Sequence, residues 1–214
     1  MNLLLLVASA LSCILVITRI MWTLELTYIS LIWNLFLAWI PYILSYQFRK
    51  KNFKQKNKFI TFGWILLWLI FYPNAPYIIT DLFHLNERAG APLWYDLILI
   101  FSFAGLGLLL GLLSLKDMQY IITRKYNIKT GWWFIIVSLF LSGFGIYIGR
   151  YLRWNSWDVV AQTSALSRDL WHIFRNPVEN ISVFAFTILF ACFQIIIYYS
   201  FIKYNQLIKQ NIKF

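Results

Sequence analysis

The chain has 214 residues, of which 61% are hydrophobic and only 13% charged, with a net charge of +11. Soluble domains carry roughly a quarter charged residues, and several apolar runs here reach the roughly 18 to 20 residues that cross a bilayer as a helix. A soluble globular class is excluded; the expectation is an all-α polytopic bundle, residues 1–214 forming a single integral membrane domain. The positive balance is the ordinary loop signature of membrane proteins, and no nucleic-acid partner is expected.

Six spans are predicted: Leu3–Thr18, Tyr28–Tyr46, Phe59–Ile79, Leu97–Leu115, Gly131–Gly149 and Pro177–Phe201. The first resembles a signal peptide at Ala8-Ser9-Ala10, and Ala10-Leu11-Ser12-Cys13 is a poor lipoprotein signal. It lacks a basic leading segment and stays apolar through Ile14, so a retained span is expected. Cys13 and Cys192 lie in apolar segments without metal-site spacing, which predicts buried thiols and no disulfide.

Between the second and third spans, Gln47 to Lys58 holds Arg49, Lys50, Lys51, Lys54, Lys56 and Lys58 and no acid. With loop 116–129 and tail 202–214, this set contains every lysine of the chain and, of the acids, only Asp117. The positive-inside rule puts these segments and both termini in the cytoplasm. The other side then holds Arg19, Arg88, Arg150, Arg153, Arg168 and Arg175, seven acids and both histidines. Lysine suits an anionic lipid surface, whereas planar arginine suits fixed pairs with carboxylate or phosphate.

The third span ends in Tyr72-Pro73-Asn74-Ala75-Pro76-Tyr77, running on to Asp81 and His84. Two prolines remove two backbone donors and are expected to push Tyr72 and Ala75 out of helical geometry. The break falls in the outer third of the bilayer, where irregular backbone must be buried in protein or line a cavity. Asn74 can satisfy freed carbonyls as a structural plug or hold a ligand. Asp81 and His84 share a helix face, and the same spacing recurs at Asp169 and His172. No metal site is predicted; these four are only weak candidates for one, with structural ion pairing the simpler reading.

Further along, Trp94-Tyr95-Asp96 opens the fourth span, and Asp96 at the apolar edge needs a cationic partner. Gly107-x-x-x-Gly111 and Gly145-x-x-x-Gly149 give the fourth and fifth spans small faces for close packing. Arg150 and Arg153 lie one turn apart beside Trp154-Asn155-Ser156-Trp157-Asp158. They can clamp a phosphate or carboxylate, or pair with Asp81, Asp96 or Asp158. From Ser156 to Arg175 an outer interfacial helix is predicted, with Val159, Leu166, Leu170 and Ile173 near one face. Asn176-Pro177-Val178-Glu179 reads as the cap and first turn of the last span, with Glu179 structural.

The segments Tyr72-Pro73-Asn74-Ala75-Pro76-Tyr77 with Thr80-Asp81 and His84-Leu85, Trp94-Tyr95-Asp96, Gly149-Arg150-Tyr151 and Arg153-Trp154-Asn155-Ser156-Trp157-Asp158 resemble the hallmark segments of a bacterial family of uncharacterised multi-span membrane proteins, a domain of unknown function. The resemblance covers most of the chain. It implies a bacterial integral membrane protein, and it implies no reaction, substrate, cofactor or catalytic residue. Asp169 and His172 stand outside the pattern.

The candidate polar site is Asn74, Asp81, His84, Asp96, Arg150, Arg153, Asn155 and Asp158, all on the outer side. It supports an outward-facing enzyme or binding protein acting on a lipid or other anionic headgroup, with the bilayer and an anionic lipid or lipid-linked headgroup as the expected partners. A non-catalytic subunit or assembly partner, docking through glycine faces and outer tryptophans into an oligomer or a membrane complex, is the alternative. A transporter is the third reading; carriers usually hold ionisable groups at mid-depth, where these spans offer only Asn34, Gln194, cysteines and a few Ser or Thr.

Overall fold

The computed structural model describes residues 3–50, 58–86 and 90–211. The helices are α1 (Leu3–Thr23), α2 (Ser30–Lys50), α3 (Lys58–Phe71), α4 (Asn74–Tyr77), a 3-10 helix (Ile78–His84), α5 (Leu93–Lys125), α6 (Ile128–Tyr151), α7 (Asp158–Ala161), α8 (Thr163–Arg175) and α9 (Ile181–Asn211). Six helical segments are long and apolar enough to cross a membrane, α3 through the 3-10 helix counting as one. The protein is an all-α polytopic bundle, and the described residues contain no strand.

α5 occupies the centre, packed against α1, α2, α4, the 3-10 helix, α6 and α9. Its buried face includes Leu99, Phe103, Leu106, Leu110 and Leu115. At 33 residues it is about 50 Å long, well beyond a hydrocarbon core of about 30 Å. This corrects the basic loop expected at 116–129: Lys116, Arg124 and Lys125 ride on the end of α5, and the connection to α6 is only Tyr126 and Asn127. Asn127 caps α6, its side chain accepting from the Thr130 backbone N–H at 2.8 Å. Of the basic run after the second span, Arg49 and Lys50 end α2 and Lys58 begins α3; residues 51–57 lie outside the described residues.

Two other boundaries move for local reasons. α1 runs on to Thr23, because Arg19 is held inside the bundle rather than in a loop. The last span begins at Ile181, since residues 177–180 form turns. Asn180, not Glu179, returns to Asn176: its backbone N–H and side-chain amide donate to the Asn176 carbonyl at 3.1 and 2.9 Å. Cys13 and Cys192 are free thiols, and Cys192 lies exposed on α9 rather than buried as expected.

Both glycine faces close on one segment. A Cβ at Gly107 would meet the Ala75 carbonyl oxygen at 2.6 Å, and one at Gly145 would meet Pro73 Cγ at 3.0 Å. Gly111 lies against Ala75 and Pro76, and Gly149 against Tyr77. The two-proline segment is therefore gripped between α5 and α6 at backbone distance.

Candidate functional site

The two prolines bend the third span without unwinding it. Tyr72 still donates to Trp68 at 2.8 Å, and Pro73 sits in α geometry as the N-cap of α4, with φ −56° and ψ −27°. Ala75 is helical, contrary to the expected departure. The carbonyls loosened at the bend are taken by side chains. Asn74 Nδ2 donates to Phe71 O and to Ser156 Oγ, both at 2.9 Å, and Ser156 Oγ donates to Ile70 O at 3.1 Å. The side chains of Asn74 and, from a distant segment, Ser156 thus satisfy carbonyls that the prolines leave without helical donors, as a low-dielectric setting requires.

One turn further on, Arg150 joins four residues of the Tyr77–His84 stretch. Its Nη2 donates to Asp81 Oδ1 at 2.6 Å, Nε to Thr80 Oγ1 at 2.9 Å and Nη1 to His84 Nε2 at 2.8 Å. The guanidinium carbon lies 4.7 Å from the Tyr77 ring centroid. Guanidinium only donates, so His84 Nε2 is the acceptor in this contact. The second Asp81 oxygen accepts from Asn34 Nδ2 of α2 at 2.9 Å. All three Arg150 nitrogens and both carboxylate oxygens are engaged.

Other sequence candidates are placed elsewhere. Asp96 pairs with Arg19 of α1, Nε–Oδ1 2.7 Å and Nη2–Oδ2 3.1 Å. It joins neither Arg150 nor Arg153. Tyr28 lies between the two ion pairs: its ring is 5.1 Å from the Arg19 guanidinium and its hydroxyl donates to His84 O at 3.4 Å. Asp158 is buried and, among the described residues, meets no arginine: its Oδ2 accepts from the Asn155 backbone N–H at 2.7 Å and from Asn155 Nδ2 at 3.2 Å, closing the turn that enters α7. Arg153 is exposed, in left-handed geometry at φ 61°, where α6 ends. Among the described residues it makes no ion pair. Asp169 accepts from Trp154 Nε1 at 2.9 Å. No group of three or more His, Cys, Asp and Glu side chains converges among the described residues, so the two Asp-x-x-His units do not combine.

Beside the Arg150 cluster is a cavity of about 390 Å³. Leu37 of α2, Leu69 of α3, Leu141, Phe144 and Ile148 of α6, and Leu166 and Leu170 of α8 form its apolar walls. Polar groups reach it from Asn34, Asn74, Tyr77, Asn155 and Ser156. The amphipathic face read from the sequence explains its lid: Val159, Leu166 and Leu170 face the chamber, and Ile173 is buried. Asn34 and Arg19 are the residues that sequence reasoning missed. Arg19 was legible as a lone cation at the end of an apolar helix, whose burial demands a carboxylate. Asn34 gave no signal beyond being polar within a span.

Comparison with curated proteins and with solved structures finds no match. The family comparison does find one, and it covers all the residues around the chamber together with Asp81, His84 and Arg150. The chain belongs to the family described as Protein of unknown function (DUF1361), which it matches over residues 33–197.

Proposed function

We propose that this protein binds, and in that way presents or processes, a membrane lipid whose headgroup sits at the Asp81 end of the bundle. The observation that carries the reading is the chamber of about 390 Å³, apolar on most of its wall and edged by three asparagines. That volume falls in the usual small-molecule range of roughly 300–1,000 Å³, and the mixed lining fits an amphiphile with its tail among the leucines. Arg153, exposed and next to the lining residue Trp154, supports an anionic group at the edge of the site. The Arg150 cluster holds the wall: with its nitrogens engaged, it ties α6 to the 3-10 helix rather than offering a free fork.

The orientation proposed is that of a bacterial cytoplasmic membrane protein, lysine-bearing end and both termini inside, Asp81 end outside. All eleven lysines are confined to the segments 50–58, 116–129 and 203–213, and such a one-sided lysine distribution supports placing that end in the cytoplasm.

The test is extraction into polymer-bounded nanodiscs without detergent, followed by native mass spectrometry for retained lipid. A Leu166→Trp variant fills the chamber from its lid. Retention in the native chain and loss in the variant, with unchanged thermal unfolding, are expected; equal lipid content in the two would remove the chamber from the proposal.

A second reading, as a non-catalytic subunit, is favoured by one observation: Trp171 and Phe174 on α8 are 68% and 60% exposed. Those rings suit a partner helix as well as lipid. Replacing both by Ala should then release a co-purifying protein without changing lipid content.

A further inference from the structure

We infer that the part of the ligand held inside the chamber is an uncharged, hydroxyl-bearing group, such as the glycerol or sugar portion of a lipid headgroup. This rests on the chamber being a lipid site. The orientation of the three asparagines sets this preference.

Each side-chain amide is fixed by a partner that only accepts. Asn34 Nδ2 donates to Asp81 Oδ2, Asn74 Nδ2 to Phe71 O, and Asn155 Nδ2 to Asp158 Oδ2. A flipped amide would set carbonyl oxygen against oxygen in all three places, so the orientation is dictated by the neighbours. Asn74 spends its second N–H on Ser156 Oγ, and that hydroxyl is itself spent on Ile70 O. The three Oδ1 atoms, by contrast, accept no hydrogen bond among the described residues; those of Asn34 and Asn74 are not sealed off from solvent, and Asn155 is an exposed residue. What the lining offers a ligand is therefore three carbonyl acceptors, one remaining N–H each on Asn34 and Asn155, and the Tyr77 hydroxyl.

That set discriminates by charge. Among the described residues no Lys or Arg lines the chamber, and a phosphate oxygen inside it would face three carbonyl oxygens with few donors. An ammonium group would find acceptors but no free carboxylate: Asp81 is spent on Arg150 and Asn34, and Asp158 on Asn155 and Gln162. A hydroxyl both donates and accepts, and needs no counter-charge. Trp33, Tyr77 and Trp154 add aromatic surface for the C–H face of a polyol. An anionic phosphate on the same lipid lies outside the chamber, toward Arg153.

The test compares lipids of matched acyl chains in the nanodiscs described above, by competition for retention. Phosphatidylglycerol and phosphatidylmethanol carry the same phosphate charge and differ in the hydroxyls of the headgroup; a glycosyl diacylglycerol carries hydroxyls and no charge. Phosphatidylglycerol and the glycolipid are each expected to be retained about tenfold over phosphatidylmethanol, the worth of one to two hydrogen bonds. Tyr77→Phe, which keeps the ring over Arg150, should reduce that ratio. Equal retention of phosphatidylglycerol and phosphatidylmethanol, both abolished by Leu166→Trp, overturns the hydroxyl inference while the lipid site stands. Retention of all three unaffected by Leu166→Trp overturns the lipid reading itself.

Discussion

Arg19 and Asp96 meet as a two-point ion pair between α1 and α5, with side chains 0% and 1% exposed. The pair fastens a helix that lies outside the family match to the central helix inside it. Both charges are removed from water and lipid, so neither can be left alone. Arg19→Ala or Asp96→Ala is expected to destabilise by about 3 kcal/mol or more. The double replacement Arg19→Met with Asp96→Leu should lose less than either single change, because no charge is stranded. Thermal unfolding in nanodiscs checks both, and additive losses would contradict the pairing.

At the Arg150 cluster, charge alone is not enough. Arg150→Lys keeps the cation but gives up the planar fork that reaches Thr80, Asp81 and His84 together. It should lower stability nearly as much as Arg150→Met. A double-mutant cycle with Asp81→Asn is expected to return a coupling of about 1–3 kcal/mol. Folded-protein yield and unfolding temperature are the measurements.

The proline segment makes its own prediction. Gly107→Ala drives a methyl into the Ala75 carbonyl, 2.6 Å from where the Cβ would be. About 1–3 kcal/mol of destabilisation is expected from overpacking against backbone. At Gly111 the nearest atom is Ala75 Cβ at 3.4 Å, and at Gly105 nothing lies within 4 Å. Alanine there should be tolerated or mildly stabilising, through better helix propensity.

Asn74 and Ser156 form the plug of the bend. Asn74→Asp is close in shape but cannot donate to Phe71 O and Ser156 Oγ. It should cost about 1–3 kcal/mol, as an unsatisfied buried acceptor does, and Asn74→Ala a similar amount. If Asn74→Asp unfolds at the native temperature, the plug has no structural weight.

Arg153 separates stability from binding. Its φ of 61° favours glycine, so Arg153→Gly should leave stability unchanged or raise it by about 1 kcal/mol. The same variant should retain less anionic lipid in the nanodisc assay. Loss of stability with unchanged lipid content would make Arg153 a structural residue.

Much of this molecule is readable from one dimension. Hydropathy runs mark the six spans, because a helix in lipid satisfies its own backbone and needs only an apolar surface. The spacing of Val159, Leu166, Leu170 and Ile173 marks the chamber lid, because amphipathic periodicity is local. Grouping Asp81, His84 and Arg150 at one end also follows from span order. Some local readings fail for equally local reasons: Asn127 caps α6 where a longer loop was expected, and Asn180 closes the turn assigned to Glu179.

The sequence by itself determined a helical membrane bundle, the alternation of its polar ends and the residues that stand near each end. Only the tertiary structure decided who meets whom. Asp96 takes Arg19 across 77 positions, Asp81 takes Arg150 across 69 and Asn74 takes Ser156 across 82. Span order leaves several arginines within reach of several acids, and the choice among them is made by helix rotation and depth. Those are set by glycine contacts at Gly107 and Gly145 and by core packing around α5. The asparagine orientations that give the chamber its chemistry are decided at the same level, since each depends on an acceptor placed by long-range packing.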